Sequence, residues 1–260
     1  MTAIKTAAAA RNTFWSVEAG ISTSPRRPVS DGPFDAAKLL AMFADVQRIR
    51  ADAQAGATGK PLRGRNLAVL LGPDTERDSS TLHRAATDLG ARVAEIRFSA
   101  SAASANDELG ALARMLGRMY DAIDCGALAP QTCGRIELEA GVPVFDGLGL
   151  EEHPAHGLAD VMTLCECHSP QGPGATLLFV GDTRTRRGHA FVSAAGEMGF
   201  DVRTRERGEA AADEALFVID ARGAPRWLLR FAGRPVDEAR RSENHRCLIQ
   251  SVLLETIARA

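Results

Sequence analysis

The chain has 260 residues, a size that suits one large domain or two small ones. Its net charge of −2 and its pI near 6.3 argue against a nucleic-acid-binding surface, and no apolar run reaches the ~18 residues that a membrane-spanning helix needs. Its cysteines, 5 in number and without the spacing of a disulfide framework, predict a reduced, cytoplasmic protein.

The predicted elements alternate between helix and strand. Residues 1–33 lack the apolar core of a signal peptide and are predicted to form a tail or an arm. Apolar residues recur at helical spacing over 34–53, and the short apolar run at 66–71 predicts a buried parallel strand. The elements predicted next are helix 79–89, strand 93–98, helix 109–119, strand 122–125, helix 131–140 and strand 142–146. This alternation predicts a parallel sheet that is covered by helices on both faces.

A second α/β unit is predicted after a break in the pattern. Residues 153–167 predict a long helix, and 170–174 form a linker rich in proline and glycine. The elements predicted after the linker are strand 176–181, helix 188–198, strand 201–204 and a terminal helix over 243–258.

Three motifs lie between Arg118 and Leu164. They read R-M-Y-D-A-I-D-C-G, then A-G-V-P-V-F-D, then H-P-A-H-G-L-A-D. This stretch resembles the middle of the aspartate and ornithine carbamoyltransferases, which carry R-x-x-D-x-I-x-x-R, A-G-V-P-V-I-N and H-P-T-Q-A-L-x-D.

The resemblance implies an α/β fold of two domains, each a parallel sheet flanked by helices, joined by two interdomain helices. The implied parts are an N-terminal tail or arm (1–33), a carbamoyl-phosphate-type domain (34–152), an interdomain helix (153–169), a shortened acceptor-type domain (170–242) and a C-terminal helix that returns to the first domain (243–260). The acceptor motifs H-C-L-P and D-x-x-x-S-M-G, which the family carries, are not found between 204 and 242.

The resemblance also implies a donor site over 75–79. The family motif S-T-R-T-R, which grips phosphate at the start of a helix, falls on T-E-R-D-S in this chain. Arg77 is therefore an expected catalytic residue, with Thr75 and Ser79 binding substrate. Glu76 and Asp78 add carboxylates, and a like charge at ~4 Å costs about 1 kcal/mol in water and about 4 kcal/mol near a protein surface. Helix capping by these acids is favoured over a new carboxylate chemistry.

Three further positions concern the carbamoyl group. Gly126 replaces the family arginine that polarises the carbamoyl carbonyl, a loss of ~3 kcal/mol by analogy with other oxyanion donors. His153 is retained and is the second expected catalytic residue, while His156 replaces the family glutamine as a substrate-binding residue.

The loop 181–187 is the expected acceptor site. In aspartate carbamoyltransferases the equivalent loop carries an arginine that binds the acceptor's carboxylate, and Arg187 falls at that position, with Arg184 nearby. A predicted helix N-terminus supports anion binding there independently, and a solvated basic loop is an equal alternative.

A cluster of histidine, aspartate and cysteine residues could form a zinc site, but this is the weaker of two interpretations. His153, His156 and Asp160 share a helix face, and Cys165-Glu166-Cys167-His168 follows. Without a second matching pair of ligands, free thiols at a helix end are the favoured interpretation, and no metal or other cofactor is expected.

Two functions remain open from the sequence. The first is transfer of a carbamoyl or related group to an amino-acid-like acceptor, with a strongly altered donor site. The second is a non-catalytic ligand-binding or structural subunit, partnered with a paralogous carbamoyltransferase. Either would bind a small anionic or amino-acid-like ligand, and the resemblance implies a homotrimer.

Overall fold

A computed structural model describes residues 34–57, 59–72, 80–98, 106–167, 175–206, 215–223 and 226–258. Its helices are α1 (Ala36–Gln54), α2 (Ser80–Asp88), α3 (Asn106–Met119), α4 (Pro130–Ala140), α5 (Pro154–Cys167), α6 (Arg186–Glu197) and α7 (Glu238–Ile257). Its strands are β1 (Asn66–Leu71), β2 (Arg92–Arg97), β3 (Ala122–Asp124), β4 (Val144–Phe145), β5 (Thr176–Val180), β6 (Asp201–Arg205), β7 (Phe217–Asp220), β8 (Leu228–Phe231) and β9 (Arg234–Pro235).

The first sheet is parallel and has the strand order β2-β1-β3-β4. Strand β1 is buried on both faces because its side chains alternate between two cores. Leu67 and Val69 pack in the core that contains α1 and α2, whereas Ala68 and Leu70 pack in the core formed with α3 and α4. The predicted sheet with helices on both faces is confirmed.

The second sheet is mixed, with the strand order β6-β5-β7-β8-β9. Strands β5, β6 and β7 are parallel, but β8 runs antiparallel to β7 and β9 antiparallel to β8. The expectation of a wholly parallel second sheet therefore needs correction. The turn from β8 to β9 consists of Ala232 and Gly233, whose φ angles of 47° and 75° suit a tight β-hairpin.

Helices α5 and α7 connect the two sheets. One hydrophobic core contains residues of both sheets together with those of α1, α5 and α7. On α1, the Arg50 Nη1 donates at 2.8 Å both to Glu166 Oε1 on α5 and to Asn244 Oδ1 on α7. Within the described ranges, no helix is long and apolar enough to cross a membrane.

Candidate ligand site at the carboxyl edges of the sheets

The strand order places the ends of β1 and β3 where a ligand is expected. From β1 the chain crosses to β2 on one side, whereas β3 lies on the other side, so the loops that follow β1 and β3 diverge. In open α/β sheets, ligands bind at such a switch point outside the carboxyl ends of the strands. The predicted donor residues Thr75, Arg77 and Ser79 fall in the connection from β1 to α2, outside the described residues.

Gly126, in the loop after β3, occupies a position with no room for a side chain. Its φ is +53°, and a Cβ atom built on it would lie 2.5 Å from the carbonyl oxygen of Leu70. Its N–H donates to Asp124 Oδ1 at 2.7 Å, which holds the turn in this form. The arginine that the resembled family carries here therefore cannot be accommodated without a different loop conformation.

Asp124, the last residue of β3, is a buried carboxyl group at this edge. Besides Gly126, the N–H of Leu148 donates to its Oδ2 at 2.7 Å. Burial raises the pKa of Asp124 to about 7, assisted by the negative charge of Asp146 and opposed by the two N–H donors. Asp124 was not among the predicted site residues, although an aspartate at the end of a buried strand at the switch point could have identified it.

Asp146 follows β4, and its carboxylate contacts both His153 and Arg186, the first residue of α6. Its Oδ1 lies 3.3 Å from His153 Nε2, and Arg186 Nη2 donates to its Oδ2 at 2.9 Å. Since the N–H of Ala155 donates to His153 Nδ1 at 3.2 Å, the hydrogen-bond network assigns the proton to Nε2, which donates to Asp146. The predicted catalytic histidine thus lies at the carboxyl edge, with its ring proton directed at a carboxylate.

The two predicted acceptor-site arginines lie in different environments. Arg187 is only 1% exposed, and its guanidinium carbon lies 4.0 Å from the centre of the Trp227 ring. Its Nη1 donates to the carbonyl oxygen of Glu151 at 3.1 Å. Arg184 is exposed and forms a two-pronged pair with Asp182, with distances of 2.9 and 3.1 Å.

Asp160 on α5 is the centre of a buried polar cluster. Arg187 Nη2 donates to its Oδ2 at 2.8 Å, and Arg241 of α7 donates to Oδ1 at 2.7 Å and to Oδ2 at 3.2 Å. His245 Nε2 lies 2.8 Å from Oδ1. Burial alone would raise the pKa of Asp160, but His245 and the two arginines hold that pKa well below its ordinary value. Asp160 is therefore an ionised acceptor whose oxygens are already occupied.

His156 lies beside this cluster, and its two ring nitrogens have different surroundings. Its Nδ1 lies 3.2 Å from His245 Nδ1, and the two rings meet edge to face. Its Nε2 is buried and has no hydrogen-bond partner among the described residues. A buried polar atom left unpaired costs about 1–3 kcal/mol. Burial, followed by the charges of His245 and Arg187, lowers the pKa of His156 well below its ordinary value.

The described residues include no group of three or more metal-ligating side chains arranged to hold a metal ion. The thiol of Cys165 is largely buried, and burial, together with the charge of Glu166, raises its pKa to about 12. A protonated thiol is a poor zinc ligand, since the thiolate is the form that binds. His168 of the predicted alternative lies outside the described residues.

The comparisons with known proteins agree on one family. Residues 28–166, more than half of the chain, match the family model "Aspartate/ornithine carbamoyltransferase, carbamoyl-P binding domain". The ornithine carbamoyltransferase of Pyrococcus furiosus superposes with a TM-score of 0.62 at 16% identity, over 86% of this chain and 94% of that one. An aspartate transcarbamoylase of Trypanosoma cruzi, in complex with N-(phosphonacetyl)-L-aspartic acid, superposes with a TM-score of 0.63 at 15% identity, over 90% and 97%.

Proposed function

The chain belongs to the aspartate/ornithine carbamoyltransferase family, and from this premise we propose that it transfers a carbamoyl or related group to an amino-acid-like acceptor through a strongly altered donor site. The observation that supports this proposal best is the convergence of His153 and Arg186 on Asp146. His153 lies at the carboxyl edge of the first sheet, and Arg186 is the first residue of α6, in the second α/β unit. Two donor groups from the two halves of the chain therefore meet at one carboxylate. Transfer of an acyl group needs mainly orientation and electrostatic stabilisation of developing charge, which such an arrangement can supply.

The alteration of the donor site is supported by two physical changes. Gly126 leaves no space for a side chain at the position of the family arginine. Asp146 stands where the family motif has asparagine. Its carboxylate accepts hydrogen bonds from His153 and Arg186, which an anionic ligand would otherwise use as donors. In our proposal, Arg77 binds the donor and His153 polarises it, while Thr75, Ser79, His156, Arg184 and Arg187 hold the rest of the substrate.

In this proposal Arg187 helps to form the wall of the acceptor-binding site, and its charge is already paired within the protein. Its guanidinium group is buried against Trp227 and bonded to Asp160. An anionic ligand at α6 would meet the exposed Arg184 first, since this side chain lies on the surface of the loop. Acceptor screening therefore begins with aspartate and other acidic amino acids.

The second candidate is a non-catalytic ligand-binding or structural subunit that assembles with a paralogous carbamoyltransferase. The specific observation in its favour is the same Gly126 geometry, since loss of a charged donor aimed at the oxyanion typically costs a factor of about 10²–10³ in rate. We also propose a homotrimer, which light scattering would test, and a cytoplasmic location, supported by five described cysteines that form no disulfide bond.

The test is calorimetric titration of the full chain with carbamoyl phosphate, with inorganic phosphate as the comparison ligand. Saturable binding that is lost in Arg77→Ala and is followed by turnover with an amino acid acceptor would support the transferase. Binding without turnover for any acceptor would favour the non-catalytic subunit. Absence of binding at millimolar concentrations of both ligands would reject a carbamoyl phosphate donor.

A further inference from the structure

Three side chains on two helices form a continuous hydrogen-bonded series that ends at a buried ring nitrogen. Asp160 Oδ1 lies 2.8 Å from His245 Nε2, and His245 Nδ1 lies 3.2 Å from His156 Nδ1. Asp160 and His156 are one turn apart on α5, whereas His245 comes from α7. The series ends at His156 Nε2, which is buried without a hydrogen-bond partner among the residues the structure describes.

The protonation of this series follows from its first member. Asp160 accepts from two arginines and is ionised, so His245 must donate to it through an Nε2–H. When His245 is neutral, its Nδ1 has no proton and accepts the Nδ1–H of His156. A neutral His156 that carries its proton on Nδ1 has a bare lone pair on Nε2.

The surrounding charges favour this arrangement over a charged His156. Burial is the main cause that keeps His156 neutral, followed by the charges of His245, of Arg187 on α6 and of His153 before α5, whereas Asp160 acts in the opposite direction. Asp160 is itself shared with Arg187 and with Arg241 on α7, and Glu238 pairs with that second arginine at 3.1 Å. Within the series, the His245 ring is the one in direct contact with the Asp160 carboxylate.

We infer that His156 Nε2 is a proton acceptor for a ligand N–H group, and that His245 and Asp160 are the positioning residues of a relay behind it. The inference rests on the proposed function for the identity of the ligand, an amine-bearing acceptor. His156 lies in the first turn of α5, three residues after His153, and His153 reaches Asp146 at the carboxyl edge. In our proposal the relay runs from the ligand at His156 Nε2 into the contact between α5 and α7.

The step is a proton transfer. The N–H bond of the ligand breaks and leaves its electron pair on nitrogen, and the proton binds His156 Nε2. The proton on His156 Nδ1 passes to His245 Nδ1, so His245 becomes an imidazolium ion that is paired with Asp160. When the product leaves, water takes the proton from His156 Nε2 and His245 returns a proton to His156 Nδ1, which restores both rings, and no oxidant, metal or cofactor is needed.

The first experiment measures tautomers and needs no ligand. Long-range ¹H–¹⁵N correlation spectra of the labelled full chain at neutral pH should show His156 protonated on Nδ1 and His245 protonated on Nε2. In His245→Leu, His156 should change to the Nε2–H tautomer, whereas His245→Gln, whose amide oxygen can accept, should retain Nδ1–H. His83→Leu, a substitution on α2, is the control and should leave the His156 signals unchanged. A proton on His156 Nε2 in the unmodified protein would overturn the inference.

The second experiment separates proton transfer from binding. His156→Gln retains a hydrogen-bond acceptor but cannot take a proton, so KM should change little while kcat falls by about 10²-fold or more. An unchanged kcat would overturn the role of His156 as a base. If the tautomers are as expected but no acceptor is turned over, the relay is supported and the transferase proposal fails. If turnover occurs with the opposite tautomers, the transferase proposal is supported and the relay fails.

Discussion

Asp121 precedes strand β3 and Asp124 ends it, and the protein shifts their pKa values in opposite directions. Asp124 is buried, and its pKa is raised to about 7. For Asp121, burial acts upward, but the N–H of Asn66 and the guanidinium of Arg65 outweigh it, so the pKa is lowered. The two carboxyl groups therefore make stability depend on pH with opposite signs.

We expect Asp124 to make the folded protein less stable as pH rises from about 4 to about 7. In this range the folded state keeps a proton that the unfolded state has already released, and the total loss is on the order of 4 kcal/mol. Asp124→Asn should remove this slope, although it also weakens one N–H bond and lowers stability at acidic pH. Urea unfolding at several pH values measures the slope, and an unchanged slope in the variant would reject the assignment.

Asp121→Asn is the comparison with the opposite sign. Its lowered pKa contributes stability at neutral pH that is lost as pH falls through the folded-state pKa. The variant should therefore be less stable than the unmodified protein at neutral pH, and the difference should shrink in acid. Equal differences at both pH values would show that lost hydrogen bonds alone are responsible.

Gly126→Ala should be destabilised by about 2 kcal/mol or more, because the new Cβ would meet the carbonyl of Leu70 and the backbone would keep a positive φ. Gly126→Arg should be destabilised similarly and should not gain carbamoyl transfer. Gly134→Ala on α4 is the matched control, since nothing lies within 4 Å of the place that a Cβ would take there. This control should gain about 0.5–1 kcal/mol from helix propensity. Thermal unfolding of the three variants measures their order of stability.

Asp160→Asn should cost about 3–5 kcal/mol, because it leaves the buried charges of Arg187 and Arg241 without their carboxylate. The free energy of unfolding in urea measures the change. Asp182→Asn removes the same charge from an exposed pair with Arg184 and should leave the midpoint almost unchanged. A similar loss in both variants would mean that the Asp160 cluster contributes no more than a surface pair.

Asp146→Asn should raise the affinity for inorganic phosphate and for carbamoyl phosphate by about tenfold or more. The variant removes a negative charge from the cleft and releases donors on His153 and Arg186. Calorimetric titration at low ionic strength measures the effect. Asp45→Asn changes the net charge equally at an exposed position on α1 and should leave the affinity unaltered. No gain in the cleft variant would show that Asp146 does not compete with anions.

Much of the fold was predictable because local pattern and tertiary position agree. Strand β1 occupies 66–71 as predicted, since a run of apolar residues can be buried on both faces only within a covered sheet. The motifs around His153 also led to the family, which the family model confirms. Strands β7, β8 and β9 were not predicted. Strand β8 mixes exposed and buried positions, and its turn places Ala232, rather than a usual turn residue, at a positive φ.

The contacts of the candidate site could not be predicted from the sequence. Arg187 was proposed as a site residue from its position in a loop, but its burial depends on Trp227 and Asp160, which are distant in sequence. His245 was not singled out, because nothing in the sequence of α7 indicates that its ring meets His156. Long-range packing determines such pairings, and a single sequence does not record them.

The packing of α1 against α7 also has a consequence during synthesis on the ribosome. Arg50 bonds to Asn244, and the apolar face of α1 shares its core with Leu248 and Val252. The chain is made from its N-terminus, so α1 emerges long before the helix that covers it. Contacts so distant in sequence slow folding, and the early segments must remain uncovered in the meantime. We conclude that a nascent chain arrested before α7 would expose this apolar face and be a preferred substrate for chaperones.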